Sequence, residues 1–169
     1  AAGLAPSGKA QHNIHAIWIP NPAENALVMS FGQNRRHVPG IAQPVDGMDL
    51  VWWDGAHFTF WFDGSDVELT DMTQEKIDGL HVLPGNLSPI NGGNCLYYLL
   101  ISTQGPGKVK GHDNAFFKFG GEDVLGFCAT SLGANTAGKW HLVLDGSAQG
   151  LPKNALTSLS ASADGRTLY

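Results

Sequence analysis

Apolar residues along this chain come in short bursts, and almost every burst is closed by Gly, Pro, Asn or Asp. Residues 27–31, 49–53, 58–62 and 77–82 form one series of such bursts. Residues 96–102, 113–117, 140–144 and 156–161 form a second. Aliphatic and aromatic side chains bounded by turn formers predict short β-strands. Within Phe58-Thr59-Phe60 apolar and polar positions alternate, and Trp61-Phe62 then breaks the alternation, so this strand is expected to be covered on both faces. One stretch reads differently. Thr70 or Asp71, followed by Gln74 and Glu75, has the spacing of a helix cap, and predicts at most about two helical turns before Gly79.

The two series repeat. Ser30 and Ser102 are 72 residues apart, as are Tyr97 and Tyr169, each within similar surroundings. The match pairs 27–31 with 96–102, 49–53 with 113–117, 58–62 with 140–144, and 77–82 with 156–161. On that alignment the second unit gains about 18 residues around 122–133. The expectation is an all-β fold in one domain, 1–169, with units near 25–96 and 97–168. Residues 1–24 carry Asn13-Ile14-His15-Ala16-Ile17-Trp18, read as the last strand of an earlier unit because His15 aligns with His81. Two blade-like four-stranded units do not close a propeller, so they predict a propeller fragment or one completed by a homo-oligomer. A two-sheet β-sandwich is the architectural alternative. Leu168-Tyr169 starts a further strand, as expected of a piece of a longer array or of end strands that pair to close one assembly.

At 169 residues the chain is long enough to bury one core. Charged residues make up 15%, the net charge is −5, and the lysines and arginines are scattered. A nucleic-acid partner needs a basic face and is not expected. No apolar run has the length of a membrane-spanning helix. Cys95 and Cys128 read equally as one disulfide or as two small buried hydrophobes. Residues 1–8 are small and flexible in character, suiting a mature end after signal-peptide cleavage or a cloning boundary.

Phe62-Asp63-Gly64-Ser65-Asp66-Val67-Glu68-Leu69-Thr70, with Glu75-Lys76-Ile77-Asp78-Gly79-Leu80-His81-Val82, resembles a tandem β-repeat of bacterial secreted and surface-anchored proteins. Residues 129–138 look like a companion segment of that family, and the resemblance spans roughly 13–169. It departs at Glu68, where Gly is usual, and at Ala148-Gln149-Gly150, which lack the acidic residues. It implies an exported, β-rich, propeller- or sandwich-like module in the bacterial envelope or outside the cell.

Candidate chemistry is sparse. Asp63, Asp66, Glu68 and Asp71 gather hard oxygens suited to calcium, without EF-hand spacing. The same residues also suit an Asp-Gly turn and a helix cap, a reading favoured because the second copy keeps only Asp145 and Ser147. The histidines show no zinc-binding spacing, and no nucleophile motif or phosphate loop occurs. Asp46 with Asp49, or Glu122 with Asp123, would serve glycoside hydrolysis only if they faced each other across a cleft. Trp18, Trp52, Trp53, Trp61 and Trp140, with Tyr97 and Tyr98, could stack on sugar rings or be core. Trp52, Trp53 and Trp61 are the candidate ligand-binding residues, the outward member of Trp52-Trp53 preferred because adjacent strand residues point to opposite faces. The functional expectation is a non-catalytic exported module for surface display or binding, with a glycan or another surface protein as partner. A secreted glycoside- or ester-acting hydrolase with a cleft between the units is the alternative. An exposed aromatic strip favours binding, and two facing carboxylates, one with a raised pKa, favour hydrolysis.

Overall fold

The computed structural model describes residues 13–20, 22–153 and 156–169, and these form strands joined by tight turns. β1 (Ile14–Trp18), β2 (Leu27–Phe31), β3 (Leu50–Trp53) and β4 (Phe58–Phe62) make one antiparallel sheet in the order β1-β2-β3-β4. β5 (Ile77–Pro84), β6 (Tyr97–Thr103), β9 (Val124–Ser131) and β10 (Ala137–Leu144) make a second, in the order β10-β9-β6-β5. Between β6 and β9 lies a two-stranded ribbon of β7 (Gly107–Lys110) and β8 (Phe116–Phe119). The all-β expectation holds.

The two sheets are built in the same register. Ile14 faces Phe31 and Ile17 faces Met29 in the first; Ile77 faces Thr103 and Leu80 faces Ile101 in the second. A bulge separates Leu50–Phe62 from Val51–Phe60, and another separates Val124–Leu144 from Leu125–Leu142. The polar anchors repeat as well. Ser30 Oγ donates to the Ile77 carbonyl at 2.7 Å, and Ser102 Oγ donates to the Leu156 carbonyl at 2.9 Å. Asp49 accepts from the N–H groups of Asp46 and Gly64, and Asp123 accepts from those of Gly120 and Gly146. Gly64 and Gly146 are required there: a Cβ would stand 2.3 Å from the Met48 carbonyl oxygen in one turn and 2.2 Å from that of Glu122 in the other.

These registers correct the sequence alignment in three places. The counterpart of β3 in the second sheet is β9, so Asp49 matches Asp123, and 113–117 belongs to the inserted ribbon and its turn. Phe116-Phe117 had the apolar character of a core strand, yet β8 pairs only with β7, and Phe116 is exposed. His15 matches Asp78 and not His81, and the two groups meet across the sheets, His15 Nδ1 lying 2.8 Å from Asp78 Oδ1. Finally, β5 is hydrogen-bonded to β6, so 77–82 begins the second sheet where the alignment had it complete the first.

No α-helix occurs among the described residues. The expected helix at 70–77 stops after one turn: Asp71 Oδ1 accepts from the Gln74 N–H, and Glu75 Oε2 accepts from the Asp71 N–H. The two side chains cap the turn reciprocally, as in a capping box but with the returning carboxylate one residue later. The chain then leaves for β5 because the Ile77 N–H is taken by the Gly47 carbonyl at 2.9 Å.

The sheets pack face to face over Val28, Leu50, Phe62, Leu80, Val82, Leu99, Ile101, Leu125, Phe127 and Trp140, all buried. Phe127 and Trp140 lie 4.6 Å apart between ring centres, and the Trp140 indole N–H donates to the Val67 carbonyl. The connection between β2 and β3 folds Val38, Ile41 and Val45 over the other face of the first sheet. Cys95 and Cys128 are joined in a disulfide.

Candidate functional site

Trp52 on β3 and Trp61 on β4 lie on one side of the first sheet, 6.3 Å apart between ring centres. Trp61 continues to Tyr97 at the head of β6, 5.7 Å away. The three rings cross the seam between the sheets. Trp52 and Trp61 are half-buried, Tyr97 is 42% exposed, and Leu96 beside it is 59% exposed.

Local structure holds each ring. Trp52 is fixed by β3, which pairs with Val28 on one side and Thr59 on the other. Beside Trp61, the Gly133 N–H donates to the Trp61 carbonyl at 2.8 Å, docking the β9–β10 connection on β4. Tyr97 follows a segment tied down twice, by the Cys95–Cys128 disulfide and by the Leu96 N–H donating to the Ala129 carbonyl. Strand alternation turns Trp53 to the opposite face, where it packs on Phe58 at 4.6 Å. The structure therefore brings Trp52 and Trp61 together with Tyr97 and leaves Trp53 apart. A run of partly exposed rings, tilted by 37° and 59° from one to the next, suits the apolar face of a sugar ring or a shallow protein surface.

The acidic loop does not converge. Asp63 Oδ1 accepts from the N–H and hydroxyl of Ser65. Asp66 Oδ2 accepts from the Thr136 N–H, 2.9 Å away on the β9–β10 connection. Asp71 Oδ1 accepts from the Thr73 hydroxyl and N–H, which hold its carboxyl below the usual range. Among the described residues no three His, Cys, Asp or Glu side chains form a group able to hold a metal. Glu68 has a backbone role: it sits at φ 71°, the left-handed conformation, and the matching Gly150 sits at φ 77°. The Gly usual at this place in the resembling repeat is what that conformation favours.

The paired acids act on turns. Asp49 is 4% exposed and burial pushes its carboxyl up to about 7, yet its two oxygens are engaged by backbone N–H groups. Glu122 and Asp123 border a groove of about 540 Å³ with Lys118, Asp145 and Lys153, but the Asp123 oxygens are likewise held by Gly120 and Gly146. This Asp49–Asp123 clamp escaped the sequence alignment; its signal is Gly-x-Asp ahead of a strand, at Gly47-Met48-Asp49 and Gly121-Glu122-Asp123.

Nucleophiles are spoken for as well. Cys128 is in the disulfide, and Ser131 Oγ donates to the Asn135 carbonyl. Tyr98 OH and His141 Nε2 lie 2.8 Å apart, their rings near-parallel, above Gly126, where a Cβ would come 2.4 Å from the imidazole. Burial lowers the His141 pKa and raises that of Tyr98, so both groups are neutral at physiological pH.

Compared with known protein families, curated proteins and solved structures, the chain shows no significant match to any.

Proposed function

We propose that the chain is a non-catalytic binding module of an exported bacterial repeat protein, its two sheets being successive blade-like units, and that Trp52, Trp61 and Tyr97 form the ligand surface. The observation that carries this reading is the continuous run of the three rings across the seam, with Tyr97 exposed at its end. The resemblance of 62–82 to surface-protein repeats supports export, and the disulfide suits an oxidising compartment without requiring one. Repetition of the Ser30/Ser102 and Asp49/Asp123 anchors supports the blade-like reading. Asp46, Asp49 and Asp123, three of the four acids considered for hydrolysis, accept from backbone donors, which favours binding over bond cleavage.

The ligand class that fits is a glycan, whose apolar ring faces stack on exposed aromatics. A glycan array followed by titration of the best hit tests this. Trp61→Ala or Tyr97→Ala should weaken binding roughly 3–10-fold each, the range set by ~0.5–1.5 kcal/mol per aromatic contact. Trp53→Ala should change it little. Binding that survives both strip variants, or an array with no hit, would remove the reading.

A further inference from the structure

Two isoleucines on the first strand and a third just past its end are bare. Ile14, Ile17 and Ile19 are 48%, 47% and 48% exposed. The register places Ile77 and Leu80 at the positions of Ile14 and Ile17 in the second sheet, with Val82 two residues after Leu80 as Ile19 is after Ile17, and those are 0%, 2% and 5% exposed. β5 lies against the first sheet, whereas on the corresponding face of the first sheet the β2–β3 connection covers Met29, Phe31 and Val51 and leaves the β1 edge without a sheet among the described residues. Three large aliphatic side chains along β1 and its immediate continuation form an apolar patch of the kind that marks an interface.

The covered copy of the interface shows what the cover must offer. Ser30 Oγ donates to the Ile77 carbonyl, and the Gly47 carbonyl accepts from the Ile77 N–H. The second sheet presents the same pair of groups on its far face, Ser102 Oγ and the Gly121 carbonyl, and they hold Leu156 in the same manner. Around them lie Leu83, Tyr98, Leu100 and Val124, packed against Leu156, Leu159, Ala161 and Leu168. That covering segment is thin. Thr157, Ser158 and Ser160 are exposed, and its strand partner is only the chain from 167 to 169.

We propose that the β1 face is the docking surface for a second copy of this chain, which receives it on the far face of its own second sheet, with Ile14, Ile17 and Ile19 taking the places of Leu156, Leu159 and Ala161. The contact is head-to-tail and continues the internal sheet-to-sheet interface from one chain to the next. Segment 156–169 is then a competitor, held on the receiving face until the β1 edge of a second copy replaces it. Such heterologous contacts make rings or filaments according to whether the rotation closes. The inference rests on the register equivalence of the two sheets and is independent of the ligand surface.

Sedimentation velocity of the whole chain from low to high micromolar concentration tests it, with far-ultraviolet circular dichroism to check each variant's fold. Wild type should associate as concentration rises. Ile17→Asp, at a solvent-exposed position that tolerates a charge in the monomer, should weaken association at least about tenfold, as charge in an interface centre does. Leu159→Asp loosens the competitor and should strengthen association. Should wild type and Leu159→Asp both sediment as monomers throughout, the proposal is overturned. Association that Ile17→Asp leaves intact overturns it too, and so does association that Leu159→Asp fails to strengthen, because the receiving face must then lie elsewhere.

Discussion

The buried carboxyl of Asp49 makes folding stability depend on pH in a defined direction. Burial is the largest influence on it and raises its pKa; the N–H groups of Asp46 and Gly64 pull the other way, and the nearby Asp63 and Asp46 carboxylates add to the rise. The group titrates at about 7 when folded, against 3.8 in the reference state. Between those values the folded chain keeps a proton that the unfolded chain releases. Stability from this group is therefore fully present below pH 4 and is lost as pH rises through 7. At 1.36 kcal/mol per pKa unit, a rise of about three units amounts to roughly 4 kcal/mol over that window.

Other groups bend the same curve. His81 and His141 have lowered pKa values through burial, so protonating them in acid opposes folding; the lowered Asp71 and Asp145 act similarly at lower pH. The measurement is accordingly a difference: urea unfolding of wild type and Asp49→Asn at steps from pH 4 to 8. Asn cannot ionise, and whatever its amide costs by facing a backbone donor is nearly constant with pH. The wild-type stability minus that of the variant should fall by about 4 kcal/mol on going from pH 4 to above 7. Parallel curves would refute the reasoning, because the carboxyl would then titrate alike in both states.

Two further substitutions probe the scaffold. Glu68→Gly should stabilise the fold by about 1 kcal/mol in denaturant unfolding, since Glu68 holds the left-handed conformation that Gly150 holds in the matching turn; a loss of stability would show that its side chain matters more than its backbone. Replacing Cys95 and Cys128 together by Ser opens a bridge spanning 33 residues and should cost roughly 3–4 kcal/mol. Ligand binding should weaken along with it, because Leu96 and Tyr97 lose one of their two tethers. A melt unchanged from wild type would contradict this.

Most strands were legible because an apolar burst ended by a turn former suits a short strand, but 156–161 forms only the isolated bridge Ala161–Leu168, and β7 and β9 arose where no burst was read. Strand partnership was not legible. Phe116-Phe117 has the same local character as Trp52-Trp53, and only the register of β9 against β6 shows that it lies in a ribbon outside the main sheets. The length of a capped turn is equally a tertiary matter: the box around Asp71 and Glu75 is written locally, but Gly47, distant in sequence, ends it by binding Ile77. At the candidate site, alternation correctly separates Trp52 from Trp53. Both meet a ring within the first sheet, Trp52 that of Trp61 and Trp53 that of Phe58; what local pattern could not show is that Tyr97 of the second sheet extends the run from Trp61. The acidic loop looked like a ligand set because sequence places its oxygens near one another. In space Asp66 reaches out to Thr136 while Asp63 and Asp71 close their own turns.

The five tryptophan side chains offer the most direct test of the ligand surface, because each indole N–H gives its own nitrogen-15 correlation signal. During titration with the best glycan from the array, the signals of Trp61 and Trp52 should move together and saturate. Those of Trp140, buried and bonded to the Val67 carbonyl, and of Trp53, on the opposite face, should stay in place. Movement confined to Trp53, or a saturating ligand that leaves Trp52 and Trp61 unmoved, would contradict the assignment.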